Sequence, residues 1–281
     1  MQGLADKLKF ALLRVMRLLL LALVVVYILI CVAYTVFQRR LIYVPPHFTA
    51  EQVDTLAKQA GLERWTNLSG QAIGMKRMSP NGAATGRVLV VYGQGGWTVG
   101  CAHYADDIQS VAPLDVFLLE YPGYADRPGS PNEQHFFQAA DEALQLLDHT
   151  NQPLYVIGES LGTGVAAYLA GAHPDKVAGV VLLSPYNRLT DVAQYRKPFL
   201  PAWLCLLDRF PAEDYLRNYR GPVGIVLDGY DDVIPERFGQ RLFDGYTGPK
   251  HLWRFERGPH IFIPEPRSKF WQEAVEFWKK N

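Results

Sequence analysis

The chain has no excess of either charge: 28 Lys and Arg balance 28 Asp and Glu across 281 residues. Nucleic-acid binding needs a basic face, so this balance argues against such a partner. Cysteine is scarce, with only Cys31, Cys101 and Cys205. Two cysteines outside the apolar N-terminal run make no disulfide framework. A Cys101–Cys205 pair is allowed in an oxidising compartment, and two free buried thiols is the plainer reading. Neither shows the C-x-x-C or Cys/His spacing of a metal site. The glycine-rich stretch "VVYGQGGWTVG" (90–100) contains neither G-x-x-x-x-G-K-[ST] nor G-x-G-x-x-G, so it does not read as a phosphate loop. Internal repeats and low-complexity tracts are also missing.

What the chain does have is one long apolar run. Leu18 to Phe37, "LLLLALVVVYILICVAYTVF", contains no charged residue. Twenty residues at about 1.5 Å each span about 30 Å, enough for a bilayer's hydrocarbon core. A cleaved signal peptide would have a shorter apolar stretch and a small-x-small cleavage site, which is absent. Ile30 before Cys31 does not suit lipoprotein processing. A buried core helix would keep a polar face. The expectation is a retained single-pass anchor. Residues 1–17 form a cytoplasmic tail, 18–37 the span and 38–86 a link and lead-in segment. Lys7, Lys9, Arg14 and Arg17 precede the span, and Arg39 and Arg40 follow it. The positive-inside rule then puts the rest of the chain on the non-cytoplasmic side.

Within the lead-in segment, Pro45 and Pro46 stop any helix, and "TAEQVDTLAKQAGL" reads as a short amphipathic helix capped near Thr49. Beyond it, apolar runs alternate with helical periodicity. Strands are expected at 87–93, 115–123, 153–158, 176–185, 223–229 and 250–258. Helices are expected at 132–150, from residue 163 to Pro174, and over the C-terminal "PRSKFWQEAVEFWKKN". This order predicts βαβ crossovers and a mostly parallel sheet covered on both faces, an α/β core over 87–281. Ligands in such sheets bind beyond the carboxyl ends of the strands.

One such end carries "GESLG", Gly158 to Gly162. Strand, G-x-S-x-G, helix is the order of a nucleophile elbow, in which the serine sits on a strained turn with its hydroxyl clear of the sheet. Gly158 and Gly162 allow close backbone approach, and the Leu161 N–H would face a developing oxyanion. Ser160 is therefore the candidate nucleophile, against the plain reading of a turn serine.

A serine hydroxyl needs a base, and the base needs a carboxylate. In this architecture both follow the serine in the chain. The carboxylate candidates lie in "DGYDDVIP" after the strand at 223–229. Counting back from Pro235 gives Asp231, our choice; counting forward from Gly229 gives Asp232, and Asp228 sits too early, at the strand end. Turn and cap aspartates are common at such places. His47, His103, His135 and His149 precede the serine, His173 ends the helix after it and His251 starts a strand. His260, in "ERGPHIF", follows the last strand and is the candidate base. The second oxyanion donor is assigned to the Gln94 N–H, with Gly95 as its rival.

These segments in order resemble the membrane-anchored α/β-hydrolases of the BEM46 and serine aminopeptidase-like groups. The residues that carry the resemblance are "FQRRLIYVPP", "VYGQGG", "LLEYPGYADRPGSP", "GESLGTGVAAYLA", "DDVIP" and "GPH". The resemblance implies an α/β-hydrolase fold with Ser160, Asp231 and His260 as the triad. Two departures stand out. Tyr92-Gly93 replaces the usual His-Gly at the oxyanion loop, and the carboxylate loop is one residue shorter than usual.

The expected reaction is hydrolysis of a carboxylic ester through an acyl-enzyme, with no metal or cofactor, at a rate that rises as His260 loses its proton. A serine peptidase or thioesterase would use the same groups. The fold also hosts binding proteins that have lost catalysis, though here all three triad members are available. The segment 184–220 interrupts the strand pattern and carries Tyr186, Tyr195, Phe199, Trp203, Leu204 and Leu206. It reads either as a cap that forms an acyl pocket or as helix packed on the core. With an anchor beside it, a small or lipid-like acyl substrate is expected.

Overall fold

The computed structural model describes residues 2–82, 84–148 and 151–281. The helices in chain order are α1 Gln2–Ile42, α2 Ala50–Gln59, α3 His103–Gln109, α4 Glu133–Leu147, α5 Gly162–Ala172, α6 Leu189–Arg196, α7 Ala202–Cys205, α8 Ala212–Leu216, α9 Glu236–Gly245 and α10 Arg267–Lys280. The strands are β1 Glu63–Thr66, β2 Ala72–Arg77, β3 Gly86–Val91, β4 Leu114–Leu119, β5 Leu154–Glu159, β6 Gly179–Leu183, β7 Val223–Asp228 and β8 Lys250–Phe255.

The strands form one sheet in the order β1-β2-β4-β3-β5-β6-β7-β8. Pairs from β4 through β8 are parallel, while β1–β2 and β2–β4 are antiparallel. Every residue of β3, β4, β6 and β7 is buried, as continuous apolar runs covered on both faces require. Side chains alternate across a strand, and β5 shows both faces. Tyr155 stacks on Trp278 of α10 at 4.5 Å, whereas a Cβ on Gly158 would point at Ala166 of α5. Thus α10, with α3 against it, covers one face, and α4, α5, α8 and α9 cover the other.

The six expected strands form, with ends shifted by a few residues. The lead-in segment 38–86 is not merely a link, because β1 and β2 within it belong to the sheet. They are short, partly exposed and interrupted by Gly74, whose added Cβ would lie 2.0 Å from Leu118 O. Close approach to β4, not alternation, decides that strand. Helix α2 forms with Thr49 as its cap in a reciprocal capping box with Gln52. The buried face of α10 is made by Phe270, Trp271, Ala274, Val275 and Trp278. Of the helix expected at 132–150, residues 149 and 150 lie outside the described residues. The expected tail and span are one continuous helix, α1, of which Lys7–Ile42 is long and apolar enough to cross a membrane.

Winding turns around at β3. Its next strand, β4, lies on one side and β5 on the other. The loops that leave β3 and β5 therefore diverge, opening a crevice at their carboxyl ends. Gln94 follows one strand and Ser160 the other.

Candidate active site

Ser160 stands between β5 and α5 with φ of +51°, a left-handed conformation that costs a non-glycine residue about 1 kcal/mol or more. The turn is held from both sides. Ser160 N–H donates to Leu183 O at 2.9 Å, and Ser160 O accepts from Thr163 N at 3.0 Å. A Cβ on Gly162 would fall 2.2 Å from Val91 O, and one on Gly158 would fall 2.8 Å from Thr163 Cα. No other residue fits either position without moving the backbone.

The loop after β8 carries His260 to this turn. His260 Nε2 lies 3.0 Å from Ser160 Oγ, and its Nδ1 lies 2.7 Å from Asp231 Oδ2. Asp231 is buried, and its other oxygen accepts from Val233 N at 2.9 Å and Ile234 N at 2.7 Å. That leaves one oxygen for the imidazole and fixes its direction. Asp232 is exposed. The count back from Pro235 therefore finds the carboxylate that meets the histidine.

Asp228, set aside in the sequence, has a different task. Its Oδ2 accepts from Ser184 Oγ at 2.8 Å and Phe262 N at 3.2 Å, and Ser184 Oγ accepts from Ile261 N at 3.0 Å. The ends of β6 and β7 thereby clasp the two residues after His260, where Ile261 adopts φ of +59°. Burial raises the Asp228 carboxyl above its ordinary range.

On the other side of Ser160 lies the loop after β3. The Gln94 carbonyl accepts from Val44 N at 3.1 Å and Tyr124 Oη at 2.7 Å. Among the described residues, the N–H groups of Leu161, Gln94 and Gly95 donate to no protein acceptor. Tyr92, where histidine was expected, supports the loop from beneath. Its hydroxyl accepts from Tyr121 N at 3.1 Å and donates to Glu120. Glu120 Oε2 in turn accepts from Thr98 N at 3.1 Å and Thr98 Oγ1 at 2.7 Å. Burial pushes Glu120 up to about 7. Sequence reasoning gave Glu120 no part; its only signal was an acidic residue at the end of an apolar strand.

Two cavities meet at Ser160. One, about 470 Å³, is lined by Gly93 to Trp97, His103, Glu159 and His260. Glu159 accepts from Tyr104 Oη at 2.6 Å, and burial lowers the His103 pKa. The other, about 300 Å³, is apolar and lies under α6. Helix α6 lines this cavity through Leu189, Val192, Ala193 and Arg196, α7 packs against α6, and α8 packs on α5. Cys101 and Cys205 are free and buried.

The pattern of the alpha/beta hydrolase fold matches residues 86–212. An uncharacterized protein of Mycobacterium tuberculosis (strain H37Rv) is 32% identical over 221 residues, 76% of each chain. The chain belongs to the α/β-hydrolase fold family. Lysophosphatidylserine lipase ABHD12 of Danio rerio is 30% identical over 194 residues, 59% of this chain and 48% of that one. Protein bem46 of Schizosaccharomyces pombe is 25% identical over 136 residues, 45% of this chain and 44% of its own. Among solved structures, Est1E from Butyrivibrio proteoclasticus superposes with a TM-score of 0.63 over 79% of this chain and 100% of that one. At 13% identity it shares the fold alone. The chain thus has the α/β-hydrolase fold, preceded by one N-terminal helix long and apolar enough to cross a membrane.

Proposed function

We propose that the protein is a membrane-anchored serine hydrolase that cleaves carboxylic esters. The observation that carries this reading is the continuous hydrogen-bonded line Asp231–His260–Ser160, 2.7 Å and 3.0 Å in its two steps. His260 Nε2 takes the Ser160 proton as Oγ attacks the ester carbonyl carbon. Asp231 fixes the imidazole tautomer and stabilises its cationic form. The N–H groups of Leu161 and Gln94 receive the oxyanion, each worth about 3 kcal/mol of barrier. His260 then protonates the leaving alcohol, the acyl group rests on Ser160, and water activated by His260 releases it. The apolar cavity beside Ser160 suits a hydrocarbon acyl chain, and the lipase among the relatives agrees with that. Peptides and thioesters would meet the same three groups, and competing substrates of each class rank them.

The charge balance around α1 favours an enzyme domain outside the cytoplasm. Four basic residues precede the apolar run of α1, and of the two that follow, Arg39 is held by Asp208 at 3.1 Å. Cysteine-accessibility labelling at residue 7 and residue 280 reports the two sides.

The test is fluorophosphonate labelling of the full chain in detergent, with Ser160→Ala beside it, followed by p-nitrophenyl esters of increasing length. Labelling that disappears in the variant is expected. A folded wild-type protein that takes no label, and hydrolyses no ester, overturns the reading.

A further inference from the structure

The anchor and the cap are joined along a long seam. Tyr27 Oη donates to Phe199 O at 2.9 Å, and Thr35 Oγ1 lies 3.2 Å from Cys205 O. Gln38, buried, donates to Cys205 O at 3.0 Å and accepts from Leu207 N at 2.7 Å. Tyr43 Oη donates to Asp208 Oδ2 at 2.9 Å. Between Tyr27 and Tyr43, α1 advances about 24 Å. Tyr27 itself lies about 15 Å inside the uncharged run that ends at Phe37, half the thickness of a hydrocarbon core. If Leu18 to Phe37 crosses the bilayer, residues 199–205 cannot stand in water. They must lie at membrane depth.

Their surface fits that depth. Phe199, Trp203, Leu204 and Leu207 are between 56% and 68% exposed. Four large apolar side chains within nine residues, beside an apolar helix, are out of place on a soluble surface. Lys197 comes just before them, with a long stem that lets its charge reach the headgroup layer, whereas Arg196 donates to Asp232 O and Val233 O.

The same seam closes the apolar cavity. Tyr34, Leu41 and Ile42 of α1 line it together with Leu189, Val192 and Leu206 of the cap and with Ser160. The anchor therefore helps to make the binding site. We propose that the cap is embedded in the leaflet around α1, and that this cavity receives one acyl chain of a membrane lipid, with the anchor helix as a wall that sets the chain's length and path. What becomes of the chain at Ser160 rests on the ester-hydrolase reading; its seat against α1 does not.

The experiment uses the full chain in phosphatidylcholine vesicles, with two readouts. First, the ratio of kcat/KM for p-nitrophenyl dodecanoate to that for the acetate is compared in wild type and Leu41→Trp. Leu41 is exposed enough to accept the larger ring, which narrows the cavity. The ratio is expected to fall about tenfold or more. Second, a long-chain fatty acid bearing a diazirine is photolysed with the Ser160→Ala protein, and adducts are mapped. Adducts on Val192 and Leu206, which are 7% and 2% exposed, are expected, since bulk lipid does not reach buried residues. An unchanged ratio, or adducts confined to residues 18–33, overturns the proposal. A wild-type protein that hydrolyses no ester yet forms adducts at Val192 and Leu206 upholds the cavity and overturns the hydrolase reading alone.

Discussion

On the sheet side of Ser160, each group is held by hydrogen bonds among the loops that leave β3, β5, β6, β7 and β8. On the opposite side the wall is a long apolar helix and a cap pinned to it by side chains 165 or more residues apart in sequence. The first region has almost no freedom. The elbow glycines touch neighbouring backbone, Asp231 has one oxygen left for His260, and Asp228 clasps the loop behind it. The second region has polar pins within it and an exposed apolar surface outside. In the proposed hydrolase, the rigid side would fix which bond is attacked and the anchored side what reaches it. Changes on the first should strike all substrates alike, and changes on the second should sort them by chain.

The largest effects belong to the rigid side. Ser160→Ala and His260→Ala should each lower kcat by about 10⁴-fold or more for every ester, because the triad acts as a unit. Asp231→Asn should cost about 10³-fold or more, and the exposed Asp232→Asn less than about twofold. Equal losses at 231 and 232 would remove Asp231 from the proposed mechanism. Next in size is the elbow itself. Gly162→Ala puts a Cβ 2.2 Å from Val91 O and should destabilise the fold by about 4 kcal/mol or more. Gly245→Ala, where nothing lies within 4 Å, should change stability by less than about 1 kcal/mol. Thermal unfolding of the full chain in detergent separates the two, and a mild Gly162→Ala would mean the elbow is looser than described.

The rigid side was also the legible one. A strand, a nucleophile elbow and a helix follow each other in sequence, and the partners of Ser160 each follow a strand, so Asp231 and His260 could be placed by order. The parallel strands announced themselves as apolar runs because both of their faces are covered. Strands β1 and β2 did not, since "ERWT" and "AIGMKR" are short, part-exposed and without alternation. Glu120 escaped because its meaning lies in three donors, two from Thr98 and one from Tyr92, that only folding brings together. The anchor–cap seam escaped for the same reason. Thr35 falls within the expected span, Gln38 and Tyr43 within the expected link, and Asp208 within the segment 184–220. Hydrophobic periodicity reports what each element buries, whereas pairing across the chain has no local signature.

Glu120 tests how far the support beneath the oxyanion loop depends on charge. Its carboxyl is pushed up to about 7 by burial, so the folded state holds this proton more tightly than the unfolded chain does. The stability it contributes is complete below about pH 4.5 and is lost as pH rises through about 7. Wild type should therefore lose up to about 3 kcal/mol relative to Glu120→Gln between those limits. Denaturant midpoints measured at pH 5, 6, 7 and 8 give the difference. Parallel curves for the two proteins would show that the three donors keep Glu120 ionised throughout.

The smallest effect on stability should come from the anchored side. Trp203 is 68% exposed, so Trp203→Ser removes little packing and should shift stability by less than about 0.5 kcal/mol. In vesicles its consequence should be visible elsewhere. Wild-type fluorescence should contain a component quenched by brominated phosphatidylcholine, and that component should be missing in Trp203→Ser. The other five tryptophans serve as the internal reference, with Trp65, Trp253, Trp271 and Trp278 buried in the domain. Equal quenching of both proteins would place the cap in water. The long apolar run of α1 would then have to cross the membrane nearer its N-terminus, carrying Arg14 and Arg17 with it, a far more costly arrangement than an embedded cap.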